Sequence, residues 1–328
     1  MPELNLLIDR IRLDRMRHGA IVVETAPAIF RVAGPGALAC MQGLLTNDLE
    51  KPGDGSLVYG ALLTPKGMIV VDAWVLRQGD TLTLIIPACG HAAAAELFQR
   101  SLPPRLARVT DLTGQARAVW LLGGHGFQVL AKSGVGMPES AARVVSVGGE
   151  LSPVAVALGP ESAPFVALLV GLAPALEPIM ARLVDAGAVP GDETELHVAR
   201  VLGGWPALGV EIDERTLPQE VRYDEIGGVS YTKGCYTGQE TVARLHFRGH
   251  TNRELRGLRW LDPDPIEGRA VMVGEKEVGS IRSTVAVGDR VLGLGVLRRE
   301  VAPGEMVTAG GRQARVVALP FGSDEVDG

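Results

Sequence analysis

Near Asn252 the character of the chain changes, and that change limits the fold more than any other feature. Before it, β-branched and alternating runs from Ala20 to Val32 and from Ser56 to Leu76, broken by Gly, Pro and Asp, read as strands and turns. Between and after them come helical patterns. Gly34-Pro35-Gly36 opens a helix through Leu38, Met41 and Leu45, and the Ala- and Leu-rich run His91 to Leu102 is a helix stopped by Pro103-Pro104. A short helix is expected around Gly123-Gly124-His125-Gly126, and Ser133 to Gly149 reads as a Gly-rich loop. Leu176, Met180, Leu183 and Val184 return to helical spacing. Asp192 and Glu195 have the form of a capping box for a helix carrying Leu196, Val198 and Val201, which Gly203-Gly204 ends. Beyond Asn252, helical periodicity nearly vanishes, and short strands turn at Gly268, Gly274, Gly279, Gly288 and Gly310-Gly311. That tail predicts a small β-barrel or sandwich. Strands and helices mix without βαβ alternation, so the fold class is α+β. No GxGxxG follows a strand and no GxxxxGK[ST] occurs, which leaves nucleotide-phosphate folds without support.

With 328 residues, 46% of them hydrophobic, the chain is long enough for two or three cores. A net charge of -6 excludes a basic surface along the whole molecule, so any nucleic-acid contact must be local. Charged residues through the first eighteen positions leave no apolar signal-peptide core, and the apolar stretch Ala163 to Leu176 is broken by prolines and too short to span a bilayer. A cytoplasmic protein without membrane contact is expected. Cys40, Cys89 and Cys235 are too few and too scattered for a disulfide framework or a four-thiolate cluster, and no permanent metal is expected.

One segment concentrates chemistry. Gly227-Gly228 precedes a run of β-formers, Lys233-Gly234 turns the chain into Cys235, and Gly238-Gln239-Glu240 leads into a helix through Arg244. A nearby ammonium and a helix N-terminus would both favour the Cys235 thiolate, giving a reactive or ligand thiol; the alternative is a small apolar plug in a turn. Gln239 and Glu240 offer acceptors and donors suited to a pterin edge, or helix caps. Arg244, Arg248, Arg253, Arg256 and Arg259, with His246 and His250, form a basic run suited to a polyglutamate tail or an RNA phosphate, or else to a solvated edge.

Lys233 to Glu240, continued by Val242-Ala243-Arg244 and Phe247-Arg248-Gly249, resembles the KGCYxGQE signature of the YgfZ family. Gln42 to Leu49, Pro65-Lys66-Gly67 before Asp72, and Pro218-Gln219-Glu220 before Gly227-Gly228 extend the resemblance over about residues 20 to 260. It implies the fold of the glycine-cleavage T protein (GcvT-like): residues 1–248 as two interleaved α+β subdomains around a central folate hole, and residues 249–328 as a C-terminal β-barrel. It further implies binding of tetrahydrofolate or a derivative, a role in iron-sulfur cluster assembly or maintenance with indirect effects on tRNA modification, and iron-sulfur enzymes or assembly machinery as partners. The site residues it implies are Asn47, Asp48, Asp72, Lys233, Gly234, Cys235, Tyr236, Gly238, Gln239, Glu240 and Arg244. The aminomethyltransferase itself carries Arg-x-Glu-x-Gly, whereas this chain reads Arg200-Val201-Leu202-Gly203-Gly204, and its paired aspartates are here Val71-Asp72. A folate-binding helper is therefore expected ahead of a transferase or folate-dependent demethylase using Asp72.

Overall fold

The computed structural model describes residues 6–148, 153–264 and 266–327. Three sheets organise it. The six-stranded sheet runs in the order Val189–Pro190, Ile21–Thr25, Ala116–Leu122, Ala167–Leu172, Val154–Leu158, Val144–Val147. The five-stranded sheet runs Ser56–Leu63, Ile69–Gln78, Thr81–Ile86, Ala28–Ala33, Arg108–Asp111. The chain leaves the first sheet after Thr25, builds the whole second sheet, and returns at Ala116, so the two α+β units interleave.

The strand patterns explain how the layers meet. Every residue of Ser56–Leu63 is buried, as a strand covered on both faces must be. Leu57, Tyr59, Ala61 and Leu63 face the core between the two sheets, while Val58 and Leu62 face a second core under helices Ala37–Gln42 and His91–Ser101. Ala155 and Ala157 likewise join the shared core, and Val154, Val156 and Leu158 pack under helices Gly126–Ser133 and Ala173–Asp185. Two sheets thus sandwich one core, with helices outside.

The third sheet closes on itself. Strands Lys276–Val287, Ala270–Val273, Met306–Ala309, Arg312–Val317, Arg253–Trp260 and Arg290–Arg298 pair in sequence, and the last returns to the first, forming a six-stranded barrel. Leu6–Ile8 adds to it in parallel against Val285–Val287.

Local expectations are met at Asp192, whose side chain and that of Glu195 form the reciprocal cap of helix Glu193–Leu202. Two readings differ, and one helix, given last, was not read from the sequence. The helix begun near Gly34 stops at Gln42, because Gly43 turns the chain and Leu45 bridges to Leu62. The expected loop from Ser133 contains strand Val144–Val147, since its valines pair with Val154–Ala157; Gly149 lies outside the described residues. Arg10–His18 is a helix, capped by Asp9 and tied by Arg12 to Asp192 and Glu195.

Candidate functional site

Where the two sheets face each other, a cavity of about 340 Å³ opens beside the shared core. Thr25 and Trp120 come from the six-stranded sheet, Tyr59, Asp72 and Trp74 from the five-stranded one, Phe165 from the loop between two strands, and Arg200 and Trp205 from the end of helix Glu193–Leu202 and beyond. The aromatic rings interlock. Trp74 stacks on Trp205 with centroids 5.4 Å apart, Phe165 meets Trp74 and Trp120 edge-on, and Trp205 meets Tyr59 edge-on. Flat apolar faces with a few fixed polar groups are what a planar heterocycle requires.

Asp72 is the polar centre. It is 6% exposed. Tyr59 donates its hydroxyl hydrogen to Asp72 Oδ2 at 2.8 Å, and the Tyr59 and Tyr223 hydroxyls lie 3.1 Å apart. Asp72 Oδ1 is buried with no hydrogen-bond partner. Burial raises the carboxyl from its ordinary 3.8 to about 6, opposed by the Tyr59 hydrogen bond. Burial also pushes both tyrosines well above their usual 10, so they stay protonated donors at neutral pH. On the rim, Arg200 donates to the Trp205 carbonyl at 3.2 Å, to Glu211 at 3.0 Å and to Ser283 at 2.7 Å, which ties the cavity to the barrel.

The signature segment builds something else. Lys233, 8% exposed, donates to the backbone carbonyls of Gln42, Leu45 and Asn47 at 2.7, 2.6 and 2.8 Å. Its ammonium seats just past the carboxyl end of helix Ala37–Gln42, where a cation is favoured. Burial lowers this ammonium to about 8. Gln42 and Asp48 lock the same loop through a 2.9 Å side-chain bond. Gly238 takes φ 82, and a Cβ there would sit 2.6 Å from the Thr64 carbonyl oxygen and 3.1 Å from the Gly67 Cα. The glycines of Pro65-Lys66-Gly67 and Tyr236-Thr237-Gly238 are therefore two halves of one close approach.

Of the residues singled out by sequence, Asp72 lines the cavity, while Asn47, Asp48 and Lys233 meet in this knot beside it. Tyr236 is buried against Lys233, the ammonium lying 5.1 Å from the ring centroid. Gln239 accepts from the Tyr236 N–H at 3.3 Å, which is a local cap. Gly234, Cys235, Glu240 and Arg244 are exposed. The ammonium expected to favour the Cys235 thiolate is spent on carbonyls, and the helix begins at Gln239, four residues beyond the thiol. Leu202 packs on the barrel-side core and does not line the Asp72 cavity. Arg253, Arg256 and Arg259 pair with Glu220, Glu254 and Glu325. His246 and His250 stand at a His-x-x-x-His spacing, but their helix ends at Arg248 and His246 Nδ1 bonds Asp224 at 3.2 Å. Among the described residues no group of three or more His, Cys, Asp or Glu could hold a metal ion, and no helix is long and apolar enough to cross a membrane.

Sequence reasoning missed the aromatic walls and Tyr223. The only available signal was that Trp74 and Trp120 fall in strands of the two-sheet region and Trp205 just past the helix that ends at Leu202.

The model of the GCVT N-terminal domain matches residues 14–147, the stretch that supplies Tyr59, Asp72, Trp74 and Trp120. The chain is 27% identical over 278 residues to the tRNA-modifying protein YgfZ of Serratia proteamaculans, covering 81% of this chain and 80% of that protein. It is also 27% identical to an aminomethyltransferase of Rubrobacter xylanophilus, covering 88% and 79%. The crystal structure of the glycine cleavage system aminomethyltransferase T from Bartonella henselae superposes with a TM-score of 0.80 at 20% identity, over 94% of this chain and 88% of that one. The GcvT-like fold with its C-terminal barrel is thereby shown.

Proposed function

We propose that the protein binds a reduced folate in the Asp72 cavity and, as a folate-bound helper, serves the assembly or maintenance of iron-sulfur clusters, with indirect effects on tRNA modification. The supporting observation is the buried, unpartnered Oδ1 of Asp72 between aromatic faces. An unmet acceptor in an apolar cavity is costly unless a ligand supplies the donor. A pterin ring carries adjacent N–H donors on a flat frame, which fits this acceptor and these walls. The distant relatives named as YgfZ and as aminomethyltransferase support a folate ligand and point to RNA modification as the process affected. The exposed Cys235 suits contact with a client protein or a transient cluster. Binding confined to the native state raises stability by RT ln(1 + [L]/Kd). Tetrahydrofolate at concentrations far above micromolar should raise Tm, and no shift with any reduced folate sinks the proposal.

A second reading rests on the same carboxyl. A buried acid near 6 can take up or give a proton at neutral pH, as folate-dependent aminomethyl transfer or demethylation requires. Here Asp72 would handle the proton while the aromatic walls exclude water. Folate-dependent release of formaldehyde or methylene-tetrahydrofolate, abolished in Asp72→Asn, would favour it over the helper.

A further inference from the structure

The knot and the cavity lie in different places, yet a chain of hydrogen bonds joins them. Lys233 fixes the loop from Gln42 to Asn47 through three carbonyls. From that loop the Asn47 amide donates to the Tyr59 carbonyl at 2.8 Å and to the Gly227 carbonyl at 2.7 Å. The neighbouring Thr46 hydroxyl donates to the Gly228 carbonyl at 2.6 Å and accepts from the Ala61 N–H at 2.9 Å. Asn47 and Thr46 therefore staple the strand carrying Tyr59 to the turn at Gly227-Gly228. That turn presses on Tyr223: a Cβ on Gly228 would fall 2.5 Å from the Tyr223 ring, so only glycine permits the contact. Both tyrosines are thus held from the same loop. Tyr59 gives its single hydroxyl hydrogen to Asp72, so between the two phenols Tyr223 must be the donor and Tyr59 the acceptor.

We propose that Lys233 and Tyr223 are positioning residues for Asp72: the Lys233 knot holds Asn47 and Thr46, these set Tyr59 against Tyr223, and the resulting Tyr223→Tyr59→Asp72 hydroxyl chain occupies Oδ2 and leaves Oδ1 for a ligand. The inference rests on the folate reading only for what that ligand is. It gives the signature lysine, Asn47 and the Gly227-Gly228 pair one purpose although none of them lines the cavity. A donor that is itself polarised by another donor binds its acceptor more strongly. Removing the outer hydroxyl therefore weakens the bond that favours the Asp72 carboxylate.

The test reads Asp72 directly and needs no folate. Protein labelled with ¹³C at aspartate carboxyls is titrated by NMR, and the Asp72 signal is assigned as the one missing in Asp72→Asn. Tyr59→Phe should move the midpoint up from about 6, and Tyr223→Phe should move it in the same direction by less, about half a pH unit. Asn47→Ala and Lys233→Met should move it upward too, although neither residue bonds Asp72. A purely structural lysine would lower stability and leave the midpoint where it was. Midpoints unchanged in folded Tyr223→Phe and Asn47→Ala overturn the proposal even if Lys233→Met fails to fold. Because the titration is done on the free protein, a failure of folate to bind would be seen separately and would not imitate either outcome.

Discussion

The cavity around Asp72 and the knot around Lys233 handle buried charge in opposite ways. Lys233 is surrounded by carbonyls that take all three of its hydrogens. Asp72 keeps one oxygen without any donor and has its carboxyl raised toward neutral pH. A fully satisfied buried ion marks where the fold is held together. A half-satisfied one in an aromatic cavity fits the ligand site proposed above, because a buried acceptor without a donor lowers stability and a ligand can supply one. The signature segment is thus scaffold for a site it does not line.

That contrast can be broken by mutations of opposite sign. The largest effect belongs to Lys233→Met, which strands three buried carbonyls and should lower unfolding free energy by about 3 kcal/mol or more in urea or guanidinium titrations. Asp72→Asn should do the reverse at pH 7, raising stability by up to about 3 kcal/mol, the equivalent of a carboxyl moved from 3.8 to about 6. The sign follows from proton affinity. Asp72 holds its proton more tightly folded than unfolded, so its contribution is fully present below 3.8 and lost as pH rises through about 6. The gap between wild type and Asp72→Asn should therefore shrink as pH is lowered from 7 to 4, and a gap that does not depend on pH would show that Asp72 is paired after all.

Smaller effects belong to the surface. Arg244 and Arg248 are exposed, so their joint replacement by alanine should leave stability within about 0.5 kcal/mol. If they contact tRNA, the same double variant should reduce the salt slope of binding by about 2, one for each phosphate lost. A salt-insensitive or absent interaction dismisses that contact. The least change is expected for Cys235→Ser, because the thiol is exposed. Its unfolding midpoint should match wild type, while complementation of iron-sulfur enzyme activities in a deletion strain should fail.

The sequence disclosed the outline more readily than the site. The barrel was visible because Gly turns recur after Asn252, and the cap at Asp192 because its partners are local in sequence. The helix beyond Gln42 was over-extended because Leu45 continues the spacing while its partner, Leu62, comes from another strand. The family resemblance singled out Lys233 and Asp72 but not their opposite roles, which depend on carbonyls about 190 residues away in one case and a tyrosine hydroxyl in the other. The aromatic cavity was not legible at all. Trp74, Trp120, Phe165 and Trp205 meet only because one sheet is inserted within the other.

The most direct measurement is a tryptophan-fluorescence titration with tetrahydrofolate, since Trp74, Trp120 and Trp205 line the cavity and only Trp260 lies in the barrel. The account predicts saturable quenching of most of the emission in wild type and in Cys235→Ser, and its loss in Asp72→Asn. Quenching that survives unchanged in Asp72→Asn, or none in wild type, would contradict it.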